Sequence, residues 1–318
     1  MSVLVVTATD DTTADRVCAA LDGRGAGHIR FDLADFPVHA SFSASTGTGS
    51  PWTGRLALDG RTVDVDDITA VYYRKPGAFR FPDSLSDQAR QFARREARHG
   101  LGGFLLSLPV RWVSHPSLIA DAENKPAQLR VADTVGLSIP ETLITNDVGS
   151  AREFAARVGR VVYKPLSAPF VRAGDTVKLV YTSLVSADLF DATQIGFTVA
   201  QFQQWVPKKF EVRATAVGDR VFAAAIHAGS DAGYVDWRSD YANLRYEVVE
   251  VPDEVTRAVV GYLDRFGLAF GAFDFVVDLD GRWWFLECNP NGQWGWIEEE
   301  TGLPIAAAIA DALTGAAA

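Results

Sequence analysis

Two acidic side chains near the C-terminal end of the chain have the spacing of a metal site. Residues 273–289 are rich in strand-forming residues, and the Asp280-Gly281 pair in their middle is typical of a two-residue β-hairpin turn. That turn places Asp274 directly opposite Glu287, and Asn289 shares a face with Glu287 because side chains alternate along a strand. Two facing carboxylates repel each other unless a cation lies between them. Magnesium prefers such oxygen ligands, so the pattern predicts a magnesium site at Asp274, Glu287 and Asn289.

The residues around this pair favour a metal site over a surface location. Phe273 and Phe275 flank Asp274, and three consecutive aromatic residues occupy positions 283–285. Charged groups in an apolar setting are usually paired or bound to a metal. The alternative is that both carboxylates line a solvated face of a sheet.

Two lysines could contact the phosphates of a nucleotide. Lys164 lies in an apolar strand-like run at residues 161–165, and Lys125 lies at the start of a helix whose first turn contains Pro126. A flexible cation in either position could reach a phosphate group. The alternative for each is an ammonium group that extends to solvent along an apolar surface.

A proline-containing crossing between two strands offers a second kind of nucleotide contact. Residues 202–213 are Phe-Gln-Gln-Trp-Val-Pro-Lys-Lys-Phe-Glu-Val-Arg, and such a crossing can present backbone carbonyl and amide groups to an adenine edge. Glu211 and Arg213 then share one face of the following strand. An ordinary strand connection is the alternative for the crossing, and a surface ion pair is the alternative for Arg213.

A polar pair separated by one tryptophan could handle the substrate. Asp236 and Arg238 flank Trp237, and in an extended segment their side chains point to one side. The carboxylate could act as a general base toward an attacking nucleophile, and the guanidinium could bind an acceptor carboxylate. A salt bridge within a loop is the alternative.

The N-terminal part of the chain predicts an α/β lobe. Short apolar strands at residues 3–6, 70–73 and 111–114 accompany a long helical stretch at residues 87–106. The Gly/Ser/Thr-rich residues 41–54 predict a loop.

The rest of the chain combines helices with a strand-rich region. One helix begins at residues 124–126, and another begins at Ser150, whose hydroxyl could cap it while Glu153 reaches back. Strands are predicted at residues 160–165, 198–206, 210–217, 221–228 and 246–251, a tight turn at Gly218-Asp219, and helices at residues 253–266 and 304–313.

The composition limits the classes of protein to consider. A chain of 318 residues with 48% apolar and 22% charged residues is typical of a soluble globular protein. A net charge of -10 and a pI near 5.0 argue against a surface built for nucleic acid. The separated Cys18 and Cys288 indicate free thiols in a reducing compartment, and neither a signal peptide nor a membrane span is predicted. We therefore expect a cytoplasmic protein that binds neither nucleic acid nor membrane.

The order of these features resembles the ATP-grasp superfamily, in which two lysines, a strand crossing, an acidic residue and a metal-binding hairpin follow one another. Within that superfamily, five further runs resemble the graspetide synthetases, the microviridin-type maturases of ribosomal peptides. They are residues 72–76 (Tyr-Tyr-Arg-Lys-Pro), 180–182 (Val-Tyr-Thr), 205–208 (Trp-Val-Pro-Lys), 236–238 (Asp-Trp-Arg) and 289–294 (Asn-Pro-Asn-Gly-Gln-Trp). The resemblance runs nearly from end to end of the chain.

The resemblance implies an α/β (α+β) ATP-grasp fold in three parts. These are an N-terminal pre-ATP-grasp α/β lobe at residues 1–118, a central lobe at residues 119–200, and a C-terminal antiparallel-sheet lobe with the metal site at residues 201–318. ATP and Mg²⁺ are the implied cofactors. The implied contacts are Lys125 and Lys164 with the phosphates, Gln204 and Val206 with the adenine, Glu211 with the ribose, and Asp274, Glu287 and Asn289 with magnesium. Gln203 and Trp205 are the other nucleotide-binding residues of the crossing. Arg213, Asp236 and Arg238 are the candidates for catalysis.

Two features depart from the family pattern. The crossing position that often carries glutamate is Gln204 here, so base recognition would rest on backbone groups or on the amide. The loop between Lys164 and Tyr181, which is expected to cover the phosphates, contains a single glycine, Gly174.

The resemblance predicts an ATP-dependent peptide ligase. Asp or Glu carboxylates of a ribosomal precursor peptide with a leader would be activated as acyl-phosphates and joined to Ser, Thr or Lys side chains, giving ester or amide macrocycles. A ligase for free amino acids or small peptides is one alternative, and a catalytically inactive nucleotide-binding scaffold is another. The family also implies a homodimer.

Overall fold

The computed structural model describes residues 2–58, 60–167, 170–173, 176–186, 188 and 190–316, and it confirms a mixed helix and sheet fold. Within those ranges the strands are β1 Ser2–Val6, β2 His28–Phe31, β3 Ala40–Gly47, β4 Ser50–Leu58, β5 Arg61–Asp64, β6 Ile68–Tyr73, β7 Arg111–Val113, β8 Thr142–Thr145, β9 Val161–Lys164, β10 Phe170–Ala173, β11 Thr176–Leu179, β12 Ser183–Val185, β13 Ala200–Gln204, β14 Lys208–Val217, β15 Arg220–Ala228, β16 Leu244–Val248, β17 Phe270–Asp278 and β18 Trp283–Asn289. The α-helices are α1 Thr12–Asp22, α2 Asp87–Ala97, α3 Gly103–Leu106, α4 Pro116–Ala122, α5 Lys125–Thr134, α6 Val148–Val158, α7 Ala192–Ile195, α8 Asp231–Val235, α9 Asp253–Phe266, α10 Gly295–Thr301 and α11 Ile305–Thr314. A π-helical turn at Arg98–Gly102 joins α2 to α3, and a 3-10 turn occupies Trp237–Ser239.

A four-stranded parallel sheet forms the N-terminal part of the molecule, in the order β2-β1-β6-β7. It contains the three strands predicted from the sequence, and the predicted helical stretch at residues 87–106 is α2, the π-helical turn and α3. One face of the sheet packs against α1 and α11 through buried side chains such as Val17 and Ile309. The C-terminal helix therefore covers the N-terminal sheet.

The loop predicted at residues 41–54 is wrong, because these residues belong to a three-stranded antiparallel sheet, β3-β4-β5. Phe42 and Leu56 are paired across β3 and β4 and pack into one hydrophobic cluster. That packing stabilises strands whose Gly/Ser/Thr composition suggests a loop. Gly54 is required there, because a Cβ would lie 2.2 Å from the Ser43 carbonyl oxygen.

Another four-stranded sheet is antiparallel, in the order β12-β9-β13-β8. Helix α6 covers it through Phe154, which packs with Phe202 in one cluster. The predicted cap of this helix at Ser150 is wrong. Asp147 is the N-cap, and its Oδ1 accepts the Ser150 N–H at 2.7 Å. A carboxylate three residues earlier thus satisfies the free amide and starts the helix sooner.

A five-stranded sheet positions most of the candidate site. Its five antiparallel strands follow the order β16-β15-β14-β17-β18, and the predicted turn at Gly218-Asp219 joins β14 to β15 with a positive φ of 60° at the glycine. Helix α9, which matches its predicted limits, contacts one face through Tyr262, whose ring lies 5.1 Å from that of Phe273 and 5.6 Å from that of Phe285. That face is an apolar core, and the opposite face carries the charged residues of β14, β17 and β18.

The β17–β18 hairpin reaches its predicted pairing by a different route. The turn has three residues, 279–281, rather than two, and the Asp278 N–H closes it with a hydrogen bond across the base. A β-bulge at Leu286 then pairs Asp274 with Glu287. The predicted two-residue turn is wrong and the predicted carboxylate pair is confirmed, because the bulge offsets the longer turn by one residue.

The division into three lobes stays a prediction. Strand β13 begins at Ala200 and pairs with β8 and β9, so it spans the expected limit between residues 200 and 201. Helix α4 spans the limit between residues 118 and 119. None of the helices within the described ranges has the length and apolar character needed to cross a bilayer.

Candidate functional site

A continuous cleft lies between the sheet β12-β9-β13-β8 and the five-stranded sheet. Its narrow part has an empty volume of about 500 Å³, and its wide part has one of about 1820 Å³. The two parts share six lining residues, Lys164, Thr182, Asp236, Arg238, Asp274 and Glu287. Every residue assigned to the site from the sequence lines one part or the other. The fold thus gathers side chains that are spread from position 125 to position 289.

The narrow part is bounded by the strand crossing and by apolar side chains. Its lining includes Gln203, Gln204, Trp205, Val206, Val162, Val276 and Leu286. The N–H groups of Gln204 and Trp205 already donate to the carbonyls of Glu141 and Arg160, both at 2.8 Å. For the Val206 N–H, no backbone hydrogen bond occurs among the described residues. Val206 is therefore the position at which the crossing offers a backbone donor to a ligand.

Gln203 orients a lysine at the junction of the two parts. Its side chain is buried, its Nε2 donates to Thr142 Oγ1 at 3.0 Å, and its Oε1 accepts from Lys164 Nζ at 3.4 Å. Both ends of the amide are thus engaged within the protein. Lys164 is held where its ammonium can face the wide part.

A buried ion pair that the sequence analysis did not identify closes one side of the narrow part. Lys208 Nζ donates to Glu211 Oε1 at 2.6 Å, and the two side chains are 5% and 9% exposed. The ammonium also lies 5.0 Å from the Trp205 ring centroid and 5.4 Å from that of Tyr234, within cation–π distance. Burial raises the pKa of Glu211, and Lys208 opposes that increase.

The Lys208–Glu211 pair was not predicted because the regular alternation of side chains along a strand places these two residues on opposite faces. Residues three apart lie on opposite faces of a regular strand, but Lys208 pairs with Asp278 and Phe210 pairs with Val277. Lys209 is therefore an extra residue, and the bulge brings Lys208 to the face of β14 that lines the cleft. A β-bulge assumed directly after Pro207 would have predicted that Lys208 and Glu211 share a face.

In the wide part, the two hairpin carboxylates converge on positive charge. Arg238 Nη2 lies 2.5 Å from Asp274 Oδ2 and 3.4 Å from Glu287 Oε1, so one nitrogen contacts both carboxylates. Arg213 Nη1 lies 3.2 Å from Asp274 Oδ1, and Lys125 Nζ lies 2.8 Å from Glu287 Oε2. The repulsion expected between facing carboxylates is thus offset by three basic side chains.

The protonation of these groups follows from burial and from the charges around them. Burial alone would raise the pKa of Glu287, but Lys125, Lys164 and Arg238 outweigh it and hold that pKa far below its ordinary value. Burial lowers the pKa of Lys164; Glu287 opposes the decrease, and Lys125 adds to it. Burial also disfavours the charge of Arg238, but Asp274 and Glu287 prevail and raise its pKa. Glu287 is therefore ionised at neutral pH.

The donor set fits a magnesium ion. Asp274 and Glu287 offer carboxylate oxygens, and Asn289 lines the wide part with an amide oxygen that also accepts the Asn291 N–H at 3.0 Å. Oδ1 of Asp274 is buried, with the Arg213 ion pair but no hydrogen bond among the described residues. Magnesium commonly takes one or two carboxylates together with substrate phosphates. In the part of the chain that the structure describes, no cluster of three or more His, Cys, Asp or Glu side chains suits a metal.

The extended segment predicted around Trp237 is wrong. Residues Trp237–Ser239 form a 3-10 turn, and Asp236 caps it by accepting the Arg238 N–H at 3.1 Å. The side chains of Asp236 and Arg238 still meet at 3.4 Å, because the tight turn brings Arg238 back over its cap. The other oxygen of Asp236 accepts the Thr182 N–H at 3.1 Å.

A buried glutamine ties helix α5 to the hairpin. Gln128 Nε2 donates to the Cys288 carbonyl at 2.7 Å, and its Oε1 accepts the Cys288 N–H at 3.0 Å. These bonds place Lys125, one turn earlier in α5, beside the hairpin. No spacing in the sequence links residues 128 and 288, so sequence analysis had no means of finding the contact. Lys125 Nζ also donates to the Pro165 carbonyl at 2.8 Å, at the start of the expected covering loop; Gly174 of that loop lies outside the described residues.

Comparison with known proteins gives a domain match and several full-length structural matches. The family model described as the MvdD pre-ATP grasp domain matches residues 2–120. None of the curated proteins matches the chain significantly.

The structural matches cover nearly the whole chain. A RiPP-associated ATP-grasp ligase from Chryseobacterium gregarium, in complex with ADP and a leader and core peptide, is 29% identical with a TM-score of 0.93, over 100% of this chain and 97% of that chain. The macrocyclase MdnB from Microcystis aeruginosa MRC is 33% identical with a TM-score of 0.79, over 98% of each chain. The ATP-grasp ligase PsnB, complexed with a phosphomimetic variant of its minimal precursor, Mg and ADP, is 25% identical with a TM-score of 0.76, over 98% of this chain and 97% of that chain.

Proposed function

This chain belongs to the graspetide synthetases, the microviridin-type ATP-grasp ligases, and we propose that it cross-links side chains of a ribosomally made precursor peptide. An Asp or Glu carboxylate attacks the γ-phosphate of ATP, which gives an acyl-phosphate and ADP. A Ser or Thr hydroxyl or a Lys amine then attacks the acyl carbon and displaces phosphate. The peptide loses one water for each ester or amide formed, and one ATP is consumed.

One observation carries the proposal. A single nitrogen of Arg238 contacts both Asp274 and Glu287, so the two carboxylates are close enough for one cation to touch both. Lys125 and Lys164 line the same wide part. Phosphoryl transfer depends on positioning and on neutralising the charge of the phosphates, and this end of the cleft offers side chains for both.

We assign the parts of ATP along the cleft. The base contacts Gln203, Gln204, Trp205 and Val206, the ribose contacts Glu211, the phosphates contact Lys125 and Lys164, and magnesium is held by Asp274, Glu287 and Asn289. Bound magnesium would neutralise phosphate charge and polarise the reacting phosphoryl group. The ADP in the Chryseobacterium ligase and the Mg and ADP in PsnB support ATP and Mg²⁺ as cofactors.

The remaining polar residues are assigned to the substrate. Arg213 is 7% exposed and stays with Asp274, where its charge can stabilise the transferring phosphoryl group. Arg238 is 29% exposed and lines both parts of the cleft, so it can exchange its carboxylate partners for the acceptor carboxylate. Asp236 is oriented by the Thr182 N–H and accepts the proton of the attacking hydroxyl or amine.

The test is a reconstituted reaction analysed by mass spectrometry. Purified protein, ATP and magnesium are mixed with the short acidic, Ser/Thr-containing peptide encoded beside the gene, and we expect the mass of one water to be lost per linkage. Asp236→Asn and Arg238→Ala should abolish the loss while ADP binding, measured by calorimetry, is retained. If the rate of ATP hydrolysis does not depend on the precursor peptide but increases with free amino acids, the result would favour a ligase for free amino acids or small peptides. A protein that binds ATP without magnesium and turns over nothing would favour the scaffold.

Three finer expectations accompany the proposal. The precursor carries a leader segment, as in the Chryseobacterium complex, the protein forms a homodimer, and it acts in the cytoplasm. Sedimentation velocity, cell fractionation and truncation of the leader would check them separately.

A further inference from the structure

The segment that follows β18, residues 289–295, is pressed between two parts of the molecule. A Cβ at Gly292 would lie 2.5 Å from the Ala272 Cβ, and a Cβ at Gly295 would lie 2.7 Å from Thr13 Oγ1. Ala272 belongs to β17 and Thr13 belongs to α1. The 289–295 segment therefore has close contacts with the five-stranded sheet at one glycine and with the N-terminal lobe at the other.

Arg74, at the end of β6, fixes the middle of this segment. Its guanidinium is 1% exposed, its Nε donates to Asp11 Oδ2 at 2.6 Å, and its Nη2 donates to Gln293 Oε1. The Arg74 carbonyl accepts a hydrogen bond from Asn291 Nδ2. One residue of the N-terminal lobe thus binds two residues of the segment, both with its backbone and with its side chain.

Asp11 compensates the charge of the buried guanidinium. A buried cation without a carboxylate partner is strongly destabilising, and Asp11 supplies that partner while also accepting from Thr7 Oγ1 at 2.6 Å. The ion pair is complete without any ligand. Arg74 is not among the residues that line the cleft in the described part of the chain, whereas Gln293 is. Arg74 therefore acts on the segment and not on a bound molecule.

We propose that Arg74 is a positioning residue for the magnesium end of the cleft. By holding Asn291 and Gln293, it sets the position of Asn289, whose Oδ1 accepts the Asn291 N–H at 3.0 Å. The N-terminal lobe thereby controls one ligand of a site that lies on the C-terminal sheet. The inference rests on the proposed function, because Asn289 matters in this way only if that end of the cleft holds a metal.

The test compares Arg74→Met with the conservative Arg74→Lys. In Arg74→Met, the magnesium concentration for half-maximal cross-linking rises about 10- to 100-fold, the range for losing a group that orients metal ligands. The affinity for ADP without magnesium changes little, and Arg74→Lys recovers part of the loss. Arg16→Met is the matched control, since Arg16 pairs with Glu299 at 2.9 Å across the same junction but is 36% exposed. It should leave the magnesium dependence unchanged.

If Arg74→Met unfolds, the role of Arg74 can still be tested with a second variant and with a measurement of metal binding that does not depend on cross-linking. Gln293→Met removes the contact from the segment and leaves the Arg74–Asp11 pair intact. Binding of Mn²⁺ with ADP, followed by electron paramagnetic resonance, should weaken in each folded variant. Folded Gln293→Met and Arg74→Met proteins that bind Mn²⁺ like the wild type would overturn the inference. A wild type that binds Mn²⁺ and ADP but links no peptide contradicts the proposed function alone.

Discussion

The two ends of the cleft handle charge in opposite ways. At the narrow end, Lys208 and Glu211 meet at 2.6 Å and neutralise each other between apolar walls. Toward the wide end, where the two parts of the cleft meet, Asp274 and Glu287 are contacted by several basic side chains, and Arg238 bridges both. A neutral slot suits a base and a ribose, and a concentration of opposite charges suits phosphates and a cation. Substitutions at the two ends should therefore alter binding and chemistry separately.

The largest expected effect comes from removing a carboxylate at the wide end. Glu287→Gln and Asp274→Asn should lower kcat for cross-linking by about 10³-fold, because a bound cation supplies several kcal/mol of charge stabilisation and each ~1.4 kcal/mol is tenfold in rate. ADP binding without magnesium should persist. Asp219→Asn, exposed in the β14–β15 turn, is the matched control. If Glu287→Gln retained the wild-type kcat, phosphoryl transfer would not take place at this end of the cleft.

A change at the narrow end should affect binding instead. Glu211→Gln should raise the Kd for ADP about tenfold, since a hydrogen bond to a charged group contributes about 1.5–3 kcal/mol, while kcat at saturating ATP changes little. Calorimetry and steady-state kinetics separate the two quantities. The double variant Lys208→Met/Glu211→Gln should recover folding stability, because it leaves no unpaired buried ammonium, yet keep the weak affinity. Recovery of affinity as well would show that Glu211 serves only Lys208.

Lys164 should show opposite effects on stability and on function. Its ammonium is buried, and burial lowers its pKa, so the charge is unfavourable until a phosphate is bound. Lys164→Met removes an ion whose burial costs several kcal/mol, but it leaves Gln203 Oε1 without its donor, which costs about 1–3 kcal/mol. The nucleotide-free protein should therefore be stabilised by about 1 kcal/mol, which raises Tm by roughly 2 °C, while ADP binding weakens. Thermal unfolding with and without ADP measures both effects. A lower Tm for Lys164→Met would mean that attraction to Glu287 outweighs the cost of burial.

The smallest effect is a difference in pH dependence between two glutamates. The folded-state pKa of Glu287 lies below its unfolded value, so its contribution to stability is complete above about pH 4.3 and is lost as the pH falls. The folded-state pKa of Glu211 is raised, so its contribution is complete below about pH 4.3 and is lost as the pH rises through the folded value. Denaturant unfolding from pH 7 to about pH 2, without metal or nucleotide, should therefore separate the two glutamates. Glu287→Gln should reduce the loss of stability as the pH falls below about 4.3, and Glu211→Gln should reduce the loss of stability as the pH rises above it. Equal slopes would contradict the assignment of charge to the two ends.

Local sequence patterns correctly predicted the structural features that are determined by residues close together in the sequence. The strand that ends at Lys164 and the limits of α9 follow from patterns within one element. The carboxylate pair was predicted correctly from a wrong turn, because the bulge at Leu286 compensates for the extra turn residue. Predictions from local patterns were wrong where another residue or a tertiary contact had a stronger effect. Asp147 outcompeted Ser150 as a cap, and packing of Phe42 with Leu56 stabilised strands in a loop-like composition.

Contacts between distant residues could not be predicted in this way. Gln128 bonds to Cys288, and Arg74 bonds to Gln293, and neither pair shares an element or a repeating spacing. Bulges are a second source of error, because one extra residue reverses the face of every residue that follows. Lys208 was missed for that reason.

The extra residue at Leu286 allows something that a regular strand forbids. Neighbouring side chains normally project in opposite directions, yet Leu286 and Glu287 both line the narrow part of the cleft. The apolar side chain of Leu286 and the carboxylate of Glu287 are therefore direct neighbours in the cleft lining, so the surface changes from apolar to charged within one residue. A chain without Leu286 would keep its acidic pair in register but would lose the apolar side chain that adjoins Glu287 in the cleft.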